Sequence, residues 1–173
     1  MQKINVIGTS GSGKSTFAKR LSHKLQIPYI EMDAIFWGKD WAMPTDEVFF
    51  ENVKAALDKE SCWVLDGNYS RTAPIKWKDA DTIIWIDFSF GRTLYQAVKR
   101  AFSRAISQEE LWPGTGNRES FKNLFSKDSI VLWTLKTYWQ NKARYSKITY
   151  GIEYEHITFV RLRSPKECER FLG

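Results

Sequence analysis

One short stretch constrains this chain more than any other. Residues 8–16 read Gly8-Thr9-Ser10-Gly11-Ser12-Gly13-Lys14-Ser15-Thr16, which fits the phosphate-binding pattern G-x-x-x-x-G-K-S/T. Its glycines admit backbone angles that a Cβ would forbid, so successive N–H groups curl into a nest for anions. In such a loop Gly8, Ser10, Gly11, Ser12, Gly13 and Thr16 surround the phosphates of a nucleotide. Lys14 brings a positive charge to the β- and γ-phosphates, and the Ser15 hydroxyl is placed to ligate Mg²⁺. The helix that opens here adds the positive end of its dipole.

Context supports the motif, because a P-loop follows a strand and starts a helix. Ile4-Asn5-Val6-Ile7 precedes it, and Phe17, Ala18, Leu21 and Leu25 follow at helical spacing. Further on, strands are expected at 27–33, 62–65, 82–87 and 156–162. Helices are expected from Thr45 as cap, over about 92–105, over 130–145 with Asp128 or Ser129 as cap, and after Ser164-Pro165. The polar, Pro- and Gly-bearing residues 106–128 read as a loop. Alternating strands and helices predict a three-layer α/β/α sandwich around a parallel sheet. Ligands in such sheets bind beyond the carboxyl ends of the strands, where Gly8, Asp33, Asp66 and Asp87 all fall.

At 173 residues with 43% apolar and 27% charged residues, the chain reads as one soluble domain spanning 1–173. No apolar run approaches the ~18 residues of a membrane span, and no signal peptide is visible. Cys62 and Cys168 lie far apart without ligand-spaced neighbours, so both read as small buried hydrophobes in a cytoplasmic enzyme. The net charge of +6 is uneven: 11 Lys and Arg against 12 Asp and Glu in residues 1–87, and 15 against 8 in 88–173. A cationic cover for polyphosphate and a patch for nucleic acid both fit that asymmetry.

Several side chains are candidates for the chemistry. Asp66 ends an apolar strand and precedes glycine, as a Mg²⁺-holding carboxylate does. Gly67 stands where motor-type ATPases place a water-activating carboxylate, which favours transfer to an acceptor over hydrolysis. Arg71 can grip an acceptor phosphate or carboxylate. Glu31 and Asp33, two apart at a strand end, point to one side, so that one orients an acceptor hydroxyl and the other assists Mg²⁺. Phe36, Trp37 and Trp41 can stack on a base or sugar, or pack in the core. Arg92, Arg100 and Arg104 lie near one helical stripe and can neutralise a transferred phosphoryl group, with Lys142 and Arg144 further candidates.

With these residues in place, the chain resembles the P-loop nucleoside monophosphate kinase superfamily. Within it, the chain is most similar to the small adenylate-kinase-related family called topology modulation proteins. The resemblance runs through residues 8–16, Met32-Asp33-Ala34-Ile35-Phe36-Trp37, Leu65-Asp66-Gly67-Asn68-Tyr69-Ser70-Arg71 and Leu162-Arg163-Ser164-Pro165. It implies a five-stranded sheet of order 2-3-1-4-5, a helical lid in the insert at about 106–130, ATP as donor, and Arg163 near the adenine. Asn68-Tyr69-Ser70 departs from the Phe-Pro of adenylate kinases, and the lid lacks zinc cysteines. The expected protein is a monomeric or homodimeric Mg²⁺- and ATP-dependent kinase of a small molecule, with Lys14, Asp33, Arg71, Arg100 and Arg104 catalytic. The alternative is a nucleotide-binding regulator that docks on nucleic acid or a protein partner, although no DNA-reading motif is present.

Overall fold

The computed structural model describes residues 1–120, 130–149 and 154–173. Five strands form one sheet: β1 (Lys3–Ile7), β2 (Tyr29–Glu31), β3 (Trp63–Asp66), β4 (Thr82–Ile86) and β5 (Thr158–Leu162). Their order is β2-β3-β1-β4-β5, and every pairing is parallel. The architecture is the α/β sandwich expected from the strand–helix alternation, with the strand order implied by the resemblance.

Strand periodicity builds the two faces. Trp63, Leu65, Ile83 and Trp85 turn to one side, where they meet Phe36, Phe49, Val53 and Tyr145. Ile4, Val6, Val64, Ile84 and Ile86 turn to the other and meet Phe17, Ala18, Leu21, Cys168 and Leu172. Side chains of alternate residues leave a strand on opposite faces, so inner strands covered on both sides are continuously apolar. Each fully buried large apolar side chain contributes ~2–3 kcal/mol by leaving water.

The helices are α1 (Lys14–Leu25), α2 (Met32–Phe36), α3 (Asp46–Asp58), α4 (Ala73–Lys76), α5 (Phe90–Ser107), α6 (Ile130–Thr149) and α7 (Pro165–Leu172). Thr45 Oγ1 caps α3 by accepting from the Val48 N–H at 3.5 Å, and Ser164 Oγ caps α7 through the Glu167 N–H at 3.3 Å. The expected caps of α6, Asp128 and Ser129, lie outside the described residues. Two short elements between β3 and β4, a 3₁₀ turn over Ser70–Thr72 and α4, were not foreseen.

Two expectations are corrected. The second strand stops at Glu31, because Met32 and Phe36 are four apart and bury the same face of a helix. Asp33 therefore sits in the first turn of α2 and does not share a strand face with Glu31. Residues 108–120, read as part of a loop, are irregular and closed by an antiparallel bridge between Glu110 and Arg118; residues 121–129 of the insert lie outside the description. Cys168 is buried, which pushes its thiol up to about 11, whereas Cys62 is only half-buried. No helix among the described residues is long and apolar enough to cross a membrane.

Candidate active site

The register aligns the carboxyl ends. Asp66 stands opposite Val6 of β1 on one side and opposite Glu31 of β2 on the other. The phosphate loop leaves β1 just beyond this row, and Gly13 at φ 88° turns it into α1. Gly11, at φ 83°, lies against α5, where an added Cβ would come within 2.6 Å of the Thr93 carbonyl oxygen and 2.7 Å of Ala97 Cβ. Small buried residues on α5 (Thr93, Ala97, Ala101, Ala105) are what allow this approach.

Between the loop and α5 opens a cavity of about 780 Å³. Gly11, Gly13, Lys14, Ser15 and Thr16 form one wall, and Arg92, Lys99, Arg100 and Arg104 project from the other. Five cationic side chains thus converge, and among the described residues no Asp or Glu lines the wall. Arg100 Nη2 donates to Ser10 Oγ at 3.0 Å, which ties α5 to the loop. Burial, then the neighbouring Arg104, lowers the Arg100 pKa, opposed by the charges of Asp33, Glu119 and Asp66. Lys99, Gln96 and Ser103 of this wall were not singled out in the sequence, although Lys99 falls one turn from Ser103 and two turns from Arg92 on the same helix.

Three buried side-chain atoms among the described residues lack a hydrogen-bond partner: Ser12 Oγ, Asp66 Oδ1 and Gln96 Oε1. Gln96 lines the cavity and Ser12 belongs to the loop. Asp66 is 3% exposed, and its other oxygen accepts from the Tyr29 hydroxyl at 2.9 Å. A buried carboxylate with one oxygen held and one without a partner fits a Mg²⁺ ligand, as does the Ser15 hydroxyl on the cavity wall. Among the described residues no cluster of three or more His, Cys, Asp or Glu could hold a metal. Mg²⁺ at nucleotide sites uses one or two protein ligands, with phosphate oxygens and water completing the shell.

The turn after β3 ties the parts together. Gly67 passes so close to Met32 that a Cβ would meet it at 2.6 Å. Lys76, wholly buried, donates from Nζ to the Asn68 carbonyl at 2.6 Å and the Gly67 carbonyl at 3.3 Å. The Tyr69 hydroxyl donates to Asp33 Oδ1 at 2.8 Å, and its ring packs on Phe36 and Phe49 at 5.0 Å each. Desolvation, then the Asp33 charge, raises the Tyr69 pKa, so the phenol keeps its proton and donates it.

Other candidates are placed differently. Arg71 forms an ion pair with Asp46 at 2.6 Å and lies over the rings of Phe36 and Phe49 at 5.3 and 5.4 Å. Lys142 reaches Asp87 at 3.5 Å, and Arg144 donates to Ser70 Oγ at 3.1 Å. Arg163 is exposed beyond β5 and does not line the cavity. Glu31 accepts from Trp112 Nε1 at 3.2 Å, with Lys19 at 3.8 Å. Trp112 also stacks near Trp37 and meets Trp41 edge-on, while Asn117 binds the Trp41 N–H and the Gly38 carbonyl at 2.8 and 2.9 Å. The described part of the insert is thereby seated on residues 37–41.

A family model described as shikimate kinase matches residues 10–64, about a third of the chain. The unliganded crystal structure of a sugar kinase from Janibacter sp. HTCC2649 aligns over 99% of this chain and 92% of that one, at 16% identity and a TM-score of 0.53. The fold is of the P-loop kinase type. No curated protein matches the chain. In this kinase-type fold the loop and α5 line the cavity, and the carboxyl ends of β1, β2 and β3 lie in register beside the loop's first residue.

Proposed function

We propose that the protein is an ATP- and Mg²⁺-dependent phosphotransferase acting on a small hydroxylated acceptor, such as a nucleoside, a nucleotide or a similar metabolite. The observation that carries this reading is the cavity over residues 11–16, in which five Lys and Arg side chains converge without a lining carboxylate among the described residues. That electrostatic environment suits a polyphosphate. The shikimate kinase match over residues 10–64 and the sugar kinase neighbour support a small-molecule kinase. The resemblance to the adenylate-kinase-related topology modulation proteins supports the same chemistry.

Backbone N–H groups of residues 8–15 and the Lys14 ammonium bind the donor's phosphates. Arg100 and Arg104 offset the charge that builds on the transferred group. Asp66 and Ser15 would hold Mg²⁺, which neutralises polyphosphate charge when bound. Asp33, held through one oxygen by Tyr69, presents the other to the acceptor hydroxyl and takes its proton as that hydroxyl oxygen bonds to the γ-phosphorus, whose bond to the β–γ bridging oxygen breaks and releases ADP. Arg71 and Asp46 border the acceptor side, and the insert with Trp112 covers it and excludes water.

The test is ATP turnover by the purified protein with Mg²⁺, scanned across pooled nucleosides, nucleoside monophosphates and small metabolites beside a Lys14→Ala variant. Turnover that appears with one pool and is lost in the variant establishes the kinase and narrows the acceptor. ATP binding with no turnover in any pool refutes it.

A further inference from the structure

The first residue of the phosphate loop has both its backbone polar groups held by one side chain that the mechanism does not use. Asn68 Nδ2 donates to the Gly8 carbonyl at 2.6 Å, and the Gly8 N–H donates to Asn68 Oδ1 at 2.9 Å. The pairing imitates one rung of a sheet ladder at the point where β1 has ended. It engages both polar atoms of the amide, one N–H of Nδ2 and one lone pair of Oδ1.

Asn68 is itself rigidly placed. Its carbonyl accepts from the buried Lys76, and the preceding Gly67 donates to the Val6 carbonyl at 3.3 Å. Asn5 Nδ2 donates to the Gly67 carbonyl at 3.3 Å, and Asn5 Oδ1 accepts from Trp77 Nε1 at 2.8 Å. The amide therefore projects from a braced turn onto Gly8. Rotation of the backbone at Gly8 would re-aim the N–H groups that follow it, and a nest binds anions only while its N–H groups converge.

We infer that Asn68 is a positioning residue that fixes the phosphate loop in its anion-binding conformation by clasping both backbone groups of Gly8. The inference rests on the nucleotide-binding part of the proposed function. It also explains the departure from Phe-Pro after Asp66-Gly67: this chain needs an amide there, because its turn clasps the loop.

The experiment is calorimetric binding of MgATP and of Mg-tripolyphosphate to the full chain, well below its melting temperature. Asn68→Ala is expected to weaken both ligands about 10- to 30-fold, the effect of removing two hydrogen bonds that preorganise a site. Asn68→Asp keeps the size and an acceptor for the Gly8 N–H but faces the Gly8 carbonyl with an oxygen. It is expected to lose at least as much, and it serves as the second variant if alanine unfolds the turn. Folded variants that bind both ligands within threefold of wild type, with only a lower melting temperature, overturn the inference and leave Asn68 a stability residue. Failure of the wild type to bind either ligand removes the nucleotide reading itself, a separate outcome.

Discussion

Lys76 is a lysine sealed from water in the core. It is 0% exposed, and burial pushes its ammonium down to about 7 from an ordinary 10.5. The folded chain therefore releases this proton near pH 7, whereas the unfolded chain keeps it until near pH 10.5. Between those values the unfolded state binds one more proton, so stability rises with pH; below about 7 the penalty is complete. At 1.36 kcal/mol per pH unit the whole gap is worth about 5 kcal/mol. The carbonyls of Gly67 and Asn68 favour the ammonium and make that an upper bound. Lys76→Met keeps the stem and removes the charge. Urea unfolding of both proteins at pH 7.5 and 9.5 isolates the effect, since all other titrating groups cancel in the difference. Wild type should gain about 2–3 kcal/mol on the variant over those two pH units, near 1 M in urea midpoint. Parallel stability curves would refute the account of Lys76 as a buried, titrating brace.

Asp66→Asn preserves an acceptor for the Tyr29 hydroxyl while removing the charge, so turnover should fall at least 100-fold, by analogy with loss of a transition-state electrostatic partner. A Mg²⁺ titration should show the midpoint moving to higher concentration, and an unchanged midpoint removes Asp66 from the metal role. Tyr69→Phe frees Asp33 to rotate, and kcat should drop about tenfold while the KM for MgATP stays within twofold, as expected for lost orientation at the acceptor. Equal effects on both constants would place Tyr69 in general packing. Binding to duplex DNA should stay weaker than ~10 μM at physiological salt, in the non-specific range; submicromolar binding with a multi-charge salt slope favours the regulator.

Legibility followed sequence distance. The phosphate loop, Asp66 and the caps Thr45 and Ser164 are local patterns, where the chemistry and its spacing sit within a few residues. The strand order came only from resemblance, since nothing in β1 names its neighbours. The second strand was overextended because Glu31-Met32-Asp33 continues an extended-looking run, and Met32 burying beside Phe36 is a tertiary preference. What joins the site was illegible. Gly8–Asn68, Asp33–Tyr69 and Glu31–Trp112 join residues 60, 36 and 81 apart. Arg71 read as a free cation because Asp46, its partner, lies across α3 from it in sequence.

The uneven charge has a structural counterpart that composition could not supply. The near-neutral half carries β1, β2, β3 and β4, and with them Asp33 and Asp66 near the carboxyl edge. The basic half carries α5, whose Arg92, Lys99, Arg100 and Arg104 turn into a concave cavity instead of outward along a face. Three other cations of that half are engaged: Lys142 and Arg161 both meet Asp87, and Arg144 meets Ser70. A duplex is bound by a stripe of positive charge that tracks its backbone, whereas these four cations of α5 face a cavity. Phosphoryl transfer needs what this arrangement holds: cations to take up charge on the moving group and carboxylates to hold metal and receive a proton. The Asp66–Tyr69 turn joins several of these parts: Asp66 accepts from Tyr29, Asn68 clasps Gly8 of the phosphate loop, and Tyr69 donates to Asp33. Donor and acceptor geometry therefore share one short segment, so a change that moves this turn should disturb both together.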